Sequence, residues 1–574
     1  MPLDRRRFLT VTAAGAAAAL APADAARSDA AAAPAAPSIR SFDLEEASIA
    51  DLQAGMDEGR WTAREIAAMY LARIREVDDP RGSVGLNSIL EINPEALAIA
   101  GERDRERKEG RVRGPLHGIP IVVKDNFDTA DGMRTAAGSL ALARWTPPRD
   151  SFVVERLRAA GAVLLGKTNL SEWANFRSTK SSSGWSGRGG QTRNPYALDR
   201  NPCGSSSGSG AAVSANLVAA GFGTETDGSV VCPSTANGLV GIKPTLGLLS
   251  RAGIVPIAHS QDTAGPMARS VADAAALLSA VAGVDPRDPA TRAAAGKLHA
   301  DYAKFLEPAA LKGARIGVAR KSFGFHPRVD ALMEEAIDLM RRSGATIVDP
   351  ADVPTHGQFS DSEYTVLLYE FKADLNDYLG AIPEGLAPRT LGELIRYNEQ
   401  HAAAEMPYFG QEIFLMAEEK GSLTEKEYRE ALEKNLRLTR EEGIDAVLAK
   451  EKLDAIIAPT GGPAWTTDLV NGDHYTGGYS SASAVSGYPH VTVPLGMVYG
   501  LPVGISFFAG AWSEPALIRL AYAFERASEA REAPRFLAKA ELTPSAPPAA
   551  RAVAALTPAG TTGSGHDLRE HCGL

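Results

Sequence analysis

Ser229 stands in a stretch of small residues, GTETDGSVVCP at residues 223–233, that could present a nucleophile. Consecutive small residues let successive backbone N–H groups converge, and such a concavity stabilises the oxyanion formed when a serine attacks a carbonyl carbon. The serine also needs a base, most often a histidine. No histidine lies within 25 residues of Ser229. His117 and His259 come with no recognisable acid to orient them, and we interpret both as structural residues.

A lysine can replace the histidine if its amine is neutral, and Lys124 is placed for that role. It follows the apolar run IPIVV at residues 119–123, which predicts a strand buried on both faces. Ligands of open α/β sheets bind at the carboxyl ends of such strands. Lowering a lysine pKa from about 10.4 to about 7 costs about 4–5 kcal/mol, and burial supplies shifts of that size. Asp125 follows directly, but successive strand side chains point to opposite faces.

A second segment dense in Gly and Ser, RNPCGSSSGSGAAVSANL, occupies residues 200–217. A flexible linker is one interpretation, but apolar helix and strand patterns flank the segment on both sides, which is not typical of a linker. A phosphate loop would end in GK[ST], which this segment lacks. Residues 204–208 fit the G-x-S-x-G elbow of α/β-hydrolases with Ser206 at the centre, but NPYALDRNPC before them is not the required apolar strand. We expect Ser209 to cap a helix of small residues that begins near Gly210.

Three ordered motifs make the chain resemble the amidase signature family: GPLHGIPIVVKDN, CGSSSGSGAAVSA and GTETDGSVVCPSTANGLVGIKPT. The stretches SQDTAGPMARSVADAAALL and SGYPHVTVPLGMVYGLPVGISF extend the resemblance over residues 42–530. The resemblance implies a Ser–cis-Ser–Lys triad with Ser229 as nucleophile and Lys124 as base. Ser205, which follows a cis Gly204–Ser205 peptide bond, would relay the proton between them.

The resemblance also implies an oxyanion hole and a supporting serine. The oxyanion donors would be the backbone N–H groups of Thr226, Asp227, Gly228 and Ser229. Ser206 would support Lys124 by hydrogen bonding. Many members of the family carry a glycine where this chain has Asp227, so the surroundings of the oxyanion hole and the amine-side preference are expected to differ.

The implied reaction is hydrolysis of a carboxamide C–N bond through an acyl-enzyme, with no metal and no organic cofactor. Residues 184–196 (GWSGRGGQTRNPY) and the Ser229 stretch resemble the bacterial peptide amidases, which remove the C-terminal amide of peptides and release ammonia. Aryl or aliphatic amides are the alternative substrates. Trp173, Phe176 and Trp185 are candidates for an apolar substrate pocket, with core packing as an equal alternative.

Two further functions are weighed against this one. A tRNA-dependent transamidase shares the motifs, but it works in the cytoplasm with a partner that supplies ammonia. A non-catalytic binding protein on the same scaffold is the other, and the presence of all three triad residues opposes it. The 574-residue chain has a net charge of −10 and no long basic run, which argues against nucleic acid or an anionic membrane as a partner.

The N-terminus resembles a twin-arginine export signal. Residues 4–9 read DRRRFL, and an alanine-rich run follows to residue 21. That run is too short and too weakly apolar for a stable membrane span, which needs about 20 apolar residues. We therefore expect export by the twin-arginine route to the periplasm or the medium, without a stable membrane anchor.

Four parts are expected along the chain. They are a signal peptide at residues 1–25, a linker at 26–41, an amidase signature domain at 42–535 and a disordered tail at 541–574. Length alone favours about two to four domains, whereas the resemblance implies one large α/β domain with a mixed central sheet covered by helices. The alternation of helix and strand patterns favours a mostly parallel sheet, and residues 300–450 are expected to form a helix-rich region on the same body.

Two of the three cysteines flank the candidate serines. Cys203 and Cys232 each lie within three residues of a triad serine. A disulfide is possible in an oxidising compartment, but three cysteines are too few for a disulfide scaffold, and buried free thiols are the favoured interpretation.

Overall fold

One large β-sheet forms the centre of the protein, whose computed structural model describes residues 39–542. The strands in this part of the chain are β1 (Ile89–Ile92), β2 (Pro120–Lys124), β3 (Val163–Thr168), β4 (Trp185–Ser186), β5 (Gly190–Gln191), β6 (Ala220–Glu225), β7 (Val240–Lys243), β8 (Thr263–Ala268), β9 (Arg315–Val318), β10 (Thr346–Val348), β11 (Ala455–Pro459), β12 (His490–Val498) and β13 (Leu501–Phe508). Eleven of them form the sheet in the order β1-β3-β2-β6-β8-β7-β12-β13-β11-β9-β10, and β4 pairs with β5 separately.

The central sheet is mixed, as the family resemblance implies. Strand β2 runs parallel to β3 and β6, and β9 runs parallel to β10 and β11, but the remaining pairs are antiparallel. The expectation of a mostly parallel sheet is therefore wrong. One reason is the β12–β13 hairpin, whose two-residue turn places Tyr499 and Gly500 at φ values of 55° and 73°. Positive φ at both positions matches the twist of paired antiparallel strands.

Helices cover this sheet. Within residues 39–542 they are α1 (Ile49–Asp57), α2 (Ala63–Val77), α3 (Ala96–Lys108), α4 (Phe152–Ala159), α5 (Ser207–Ser214), α6 (Val231–Ala236), α7 (Val271–Val281), α8 (Pro327–Arg342), α9 (Ser360–Gly380), α10 (Leu391–Gln400), α11 (Ala402–Glu405), α12 (Glu412–Glu418), α13 (Lys426–Thr439), α14 (Asp445–Glu451), α15 (Ser481–Ser486) and α16 (Glu514–Ser528). Helix α8 shows why they form: Val329, Met333, Ile337 and Met340 recur on one face and are buried.

The stretch between β10 and β11, residues 349–454, is helical from α9 to α14, which confirms the helix-rich region expected there. We call it the helical segment. Apolar side chains of α9, α10 and α12 pack in one cluster with residues 136–145 and 173–176 of the first half of the chain. The helical segment is therefore part of the body that carries the candidate site.

Several expectations concern residues that the structure does not describe. The predicted signal peptide at residues 1–25, most of the predicted linker, and residues 543–574 of the predicted tail lie outside the described residues, so these assignments stay predictions. Within residues 39–542, no helix combines the length and the apolar character needed to cross a lipid bilayer.

Candidate active site

Three neighbouring strands bring the predicted residues to one edge of the sheet. Strands β2 and β6 are parallel, so their carboxyl ends, Lys124 and Glu225, lie at the same edge. Strand β8 is antiparallel to β6 and begins there, because Thr263 pairs with Glu225. Every residue of the three strands is buried. This is the edge at which open α/β sheets bind their ligands.

Lys124 is fully buried, and its amine makes the contact that the resemblance implies. Nζ donates a hydrogen bond to Ser205 Oγ at 2.7 Å and another to Thr224 Oγ1 at 2.9 Å. Burial lowers the pKa of Lys124 to about 7, although the negative charges of Asp262 and Glu225 raise it. Near neutral pH a large share of these amines is therefore uncharged and able to accept a proton.

The peptide bond between Gly204 and Ser205 is cis, as the resemblance implies. The carbonyl of Ser205 accepts a hydrogen bond from the N–H of Ser171 at 3.1 Å. A side chain at residue 204 would collide with the Ser171 hydroxyl, so only glycine lets the two backbones approach so closely. This close packing holds Ser205 Oγ against Lys124.

Ser229 lies in the loop between β6 and α6, where backbone N–H groups are available. The Glu225 carboxylate accepts hydrogen bonds from the N–H groups of Val230 and Val231, at 2.8 and 3.0 Å. Within residues 39–542, the N–H groups of residues 227–229 donate to no other group. They are therefore free to donate to an oxyanion formed at Ser229, whose side chain is buried but still 7% exposed.

Ser206 joins the two serine segments and does not bond to Lys124 directly. Its N–H donates to the Ser229 carbonyl at 3.2 Å. Its hydroxyl donates to the Thr224 carbonyl at 3.1 Å and accepts from the Thr224 N–H at 3.2 Å. The expected support of Lys124 is therefore indirect, through Thr224. Because the Ser206 hydroxyl is engaged on both sides and fully buried, the structure also opposes its use as an elbow nucleophile.

The expected cap by Ser209 is wrong. Helix α5 begins at Ser207, and no side chain caps its first turn. The Ser209 hydroxyl instead donates to the Phe222 carbonyl at 3.0 Å and lies 2.7 Å from the Thr168 hydroxyl. It thereby ties the helix of small residues to strands β3 and β6.

Cys203 and Cys232 form a disulfide, with Cα atoms 6.0 Å apart. Of the two states considered from the sequence, the favoured one, free thiols, is therefore wrong. The bridge joins the residue two positions before Ser205 to the residue three positions after Ser229. It ties together the two segments that carry the candidate relay and nucleophile.

Asp262 belongs to the SQDTAGP motif, but sequence reasoning gave it no role. Its carboxylate accepts hydrogen bonds from the Thr226 hydroxyl at 2.6 Å and from the N–H groups of Ile257 and Ala258 at 2.8 and 2.9 Å. Burial raises its pKa to about 6, and its charge favours the protonated form of Lys124. An acid directly before a strand that begins at the catalytic edge is the signal that could have identified it.

Asp227 is only 2% exposed and lies against the hydroxyls of Ser480 and Ser481. Burial raises its pKa despite those hydroxyls. A second buried acid, Glu363 of α9, lies close to it. Burial and the charge of Asp227 raise the pKa of Glu363 well above its ordinary value. Glu363 Oε1 also accepts a hydrogen bond from the Gln261 amide at 3.0 Å.

Trp173, Phe176 and Trp185 are buried among aromatic side chains of the helical segment. Their edge-to-face partners are Phe414, Phe371 and Phe409, at ring-centroid distances of 5.9, 5.0 and 5.2 Å respectively. These contacts are those of core packing, the alternative considered from the sequence. A role in a substrate pocket stays a prediction.

Neither candidate histidine contacts the triad residues. His117 is fully buried, its Nε2 lies 2.9 Å from the Arg103 carbonyl, and burial lowers its pKa. His259 pairs with two acids of α9, through Nδ1 to Asp374 at 2.9 Å and Nε2 to Glu370 at 3.3 Å. Ligating atoms of this trio lie within 4.8 Å of one another, the one such group in the part of the chain described. They already bond to each other and to nearby N–H groups.

Two cavities lie near the loop at residues 226–229. One of about 440 Å³ reaches Thr224 and Thr226. The other, of about 300 Å³, is lined by Glu363, Ser480 and Ser481, the residues around Asp227.

The chain is similar to known amidases in both sequence and fold. Residues 65–518 match the sequence profile of the amidase family. A probable amidase of Arabidopsis thaliana is 42% identical over 506 residues, which span 87% of this chain and 93% of that protein. One subunit of the glutamyl-tRNA(Gln) amidotransferase of Symbiobacterium thermophilum is 35% identical over 491 residues, 83% of this chain and 95% of that protein.

The solved structure of native peptide amidase from Stenotrophomonas maltophilia is 50% identical to this chain, with a TM-score of 0.82 over 86% of this chain and 100% of that one. The chain therefore belongs to the amidase signature family, which makes it an amide-hydrolysing enzyme. Its fold is that of the peptide amidase.

Proposed function

We propose that this enzyme hydrolyses the C-terminal carboxamide of peptides through a Ser229–Ser205–Lys124 triad and releases ammonia. The observation that carries the proposal is the 2.7 Å contact between Lys124 Nζ and Ser205 Oγ in a buried site joined to the Ser229 segment. The similarity to a peptide amidase over most of the chain supports the substrate class.

In the first half of the reaction, Ser229 Oγ attacks the amide carbon. Its proton moves to Ser205 Oγ, and the proton of Ser205 moves to the neutral amine of Lys124. The electron pair of the C=O bond collects on oxygen, where N–H groups of residues 227–229 stabilise it. Each such donor contributes about 3–4 kcal/mol of transition-state stabilisation.

In the second half, the C–N bond breaks and the nitrogen takes the proton held by Lys124, returned through Ser205. Ammonia leaves, and the acyl group stays on Ser229 as an ester. Water then attacks that ester, and its proton follows the same route. The bond between the acyl carbon and Ser229 Oγ then breaks, Ser229 Oγ takes the proton back from Lys124 through Ser205, and the peptide acid leaves.

The test is ammonia release from a short C-terminally amidated peptide by the wild-type enzyme and by Ser229→Ala and Ser206→Ala. We expect release by the wild type and none by Ser229→Ala. Loss with Ser206→Ala alone would move the nucleophile to Ser206 and overturn the triad. Labelling of the wild type, but not of Ser229→Ala, by a fluorophosphonate would exclude a non-catalytic binding protein.

The substrate class is tested in the same assay. Ammonia release from aryl or aliphatic amides, with none from peptide amides, would keep the triad and replace the substrate. Turnover of a misacylated tRNA only would favour the transamidase that the relative from Symbiobacterium thermophilum suggests.

We also propose export by the twin-arginine route, on the strength of the DRRRFL sequence at residues 4–9 and the Cys203–Cys232 disulfide. Disulfides persist mainly in oxidising compartments. Replacing Arg5 and Arg6 by lysine should leave the enzyme in the cytoplasm. An unchanged distribution between cytoplasm and periplasm would contradict export by this route.

A further inference from the structure

The cavity of about 300 Å³ lies next to the loop that carries Ser229, with Ser480 between them. Ser480 lines the cavity, and its hydroxyl would lie 3.3 Å from a side-chain carbon added to Gly228. Gly228 directly precedes the candidate nucleophile. A substrate held at Ser229 would therefore reach this cavity past the Ser480 side chain.

The wall of the cavity suits a cationic group. Four aromatic side chains line it: Phe323, Phe325, Phe359 and Tyr479. Aromatic faces attract ammonium and guanidinium groups, and the attraction grows when water is excluded. The acidic residue in the lining is Glu363, only 3% exposed. The basic residues of the lining, Lys321 and His356, are both exposed, so they mark the solvent end, and the carboxyl marks the buried end.

Glu363 is held in a fixed orientation towards the catalytic loop. Its Oε1 accepts from the Gln261 amide at 3.0 Å, and the same amide donates to the Thr226 carbonyl at 3.3 Å. One side chain thus connects the acid in the cavity wall to the loop that forms the oxyanion hole.

Asp227, the acid close to Glu363, shares its buried cation with two other acids. Asp227 interacts with Lys243, but Lys243 also interacts with Glu225 and Glu514. Within residues 39–542, Asp227 Oδ1 has no hydrogen-bond partner although it is buried. Buried carboxyl groups without a counter-charge retain their protons, so a bound cation would favour their ionised forms and be held by the resulting negative charge.

We propose that this cavity binds an alkylammonium or guanidinium group of the substrate, with Glu363 as its counter-charge and Asp227 reinforcing the negative potential. The inference rests on the proposed amidase function and narrows its substrates to amides that carry a cation near the scissile bond. The cation is either a basic side chain or the free N-terminus of a short peptide amide.

Two substrate pairs, each differing by one charge, distinguish these sources. The first is an acetylated dipeptide amide with lysine or norleucine before the amidated residue. The second is one dipeptide amide with a free or an acetylated N-terminus. For one of the two pairs, we expect the kcat/KM of the wild type to be about tenfold or more higher for the cationic peptide. Close charge pairs that are shielded from water at an interface contribute binding energy of at least this size.

The variant Glu363→Gln keeps an acceptor for Gln261 but removes the charge, and we expect the ratio of the two kcat/KM values to fall to near one. Asp361→Asn is the matched control, because Asp361 lies on the same helix but is exposed and outside the cavity lining. Its ratio should equal that of the wild type. A wild-type ratio near one in both pairs, or a preference that survives Glu363→Gln, would overturn the inference.

A binding measurement separates this inference from the proposed function. Calorimetry with Ser229→Ala compares the Kd values of the same peptides without turnover. Tighter binding of the cationic peptide by a protein whose wild type releases no ammonia would keep the cation site and reject the peptide amidase function. Equal Kd values together with active hydrolysis by the wild type would keep the peptide amidase function and reject the cation site.

Discussion

The catalytic edge of the sheet and the helical segment contribute to the site in different ways. At the edge, short continuous stretches supply Lys124, Ser205 and Ser229, each next to a buried strand or helix. The helical segment supplies isolated acids from several helices. Its contacts with loops of the first half include Glu405 with the Leu140 N–H at 2.6 Å and Glu412 with the Thr179 N–H at 2.8 Å.

The two regions therefore differ in role: one carries the residues proposed to react, and the other carries residues that shape and charge the site around them. Residues that react must be placed by rigid neighbouring elements, and such elements leave recognisable local patterns. Residues that shape or charge the surroundings can come from any helix that packs over the site. Glu363, Glu370 and Asp374 all belong to α9 and reach residues more than 100 positions away in the chain.

The largest effect is expected at the catalytic edge, with Lys124→Met. Methionine fills a similar volume without an amine, so the relay from Ser229 loses its base. We expect kcat/KM for amide hydrolysis to fall by about a thousandfold, within the range known for general bases. Thermal unfolding should show a folded protein, and activity within tenfold of the wild type would remove Lys124 from the mechanism.

A second variant tests the contact between the two regions. Arg177 is fully buried, pairs with Glu172, and lies 3.9 Å from Glu405 of the helical segment. Arg177→Met leaves both acids buried without a cation, which costs about 3–5 kcal/mol of unfolding free energy. The measurement is the unfolding midpoint in denaturant.

An exposed ion pair provides the control for Arg177→Met. Arg437 and Glu442 pair at 2.6 Å, but both side chains are about half exposed. Arg437→Met should therefore change the unfolding free energy by less than about 1 kcal/mol. Equal losses of unfolding free energy for the two variants would show that the buried group of Arg177, Glu172 and Glu405 does not join the helical segment to the site.

The third prediction concerns the stability of the catalytic edge, where the Cys203–Cys232 disulfide lies. Replacing both Cys203 and Cys232 by serine should lower the free energy of unfolding by about 3–4 kcal/mol, because a bridge of 29 residues constrains the unfolded chain. Unfolding of the oxidised wild type with and without reductant gives the same comparison without mutation. Coincident midpoints would contradict the bridge.

The smallest expected effect is a shift in the pH profile. The amine of Lys124 must be neutral to act, so kcat/KM should rise with pH through about 7, the pKa of Lys124 in the folded enzyme. The charge of Asp262 raises that pKa, so Asp262→Asn should move the rise to lower pH. Asp361→Asn, in the helical segment, should leave it unchanged. A shift to higher pH would contradict the assignment of the base.

The places of Lys124, Ser205 and Ser229 in the fold could be predicted, because each residue lies in a motif that fixes its local structure. The apolar run before Lys124 forms β2, and Asp125 points away to Arg188 at 3.0 Å, as strand alternation predicts. Thr224 and Asp262 lie within the same family motifs but were missed. Their roles depend on hydrogen bonds to Lys124 and Thr226, which no local pattern encodes.

Other features could not be predicted because they depend on distant parts of the chain or on strand direction. The partner of His259, Asp374, lies 115 positions further on. Alternating helix and strand patterns do not show in which direction a strand runs. The antiparallel pairing of β8 with β6 and β7 could therefore not be predicted. The start of α5 at Ser207 was also missed, since small residues allow a helix to begin without a side-chain cap.

The disulfide closes residues 203–232 into a covalent ring that contains the relay serine, α5, β6 and the nucleophile. A protease that cut the chain once anywhere inside this ring would leave Ser205 and Ser229 on the same covalently connected molecule. The two hydroxyls of the proposed relay could not diffuse apart after such a nick. In a reduced chain, the same nick would leave the two serines on separate covalent fragments.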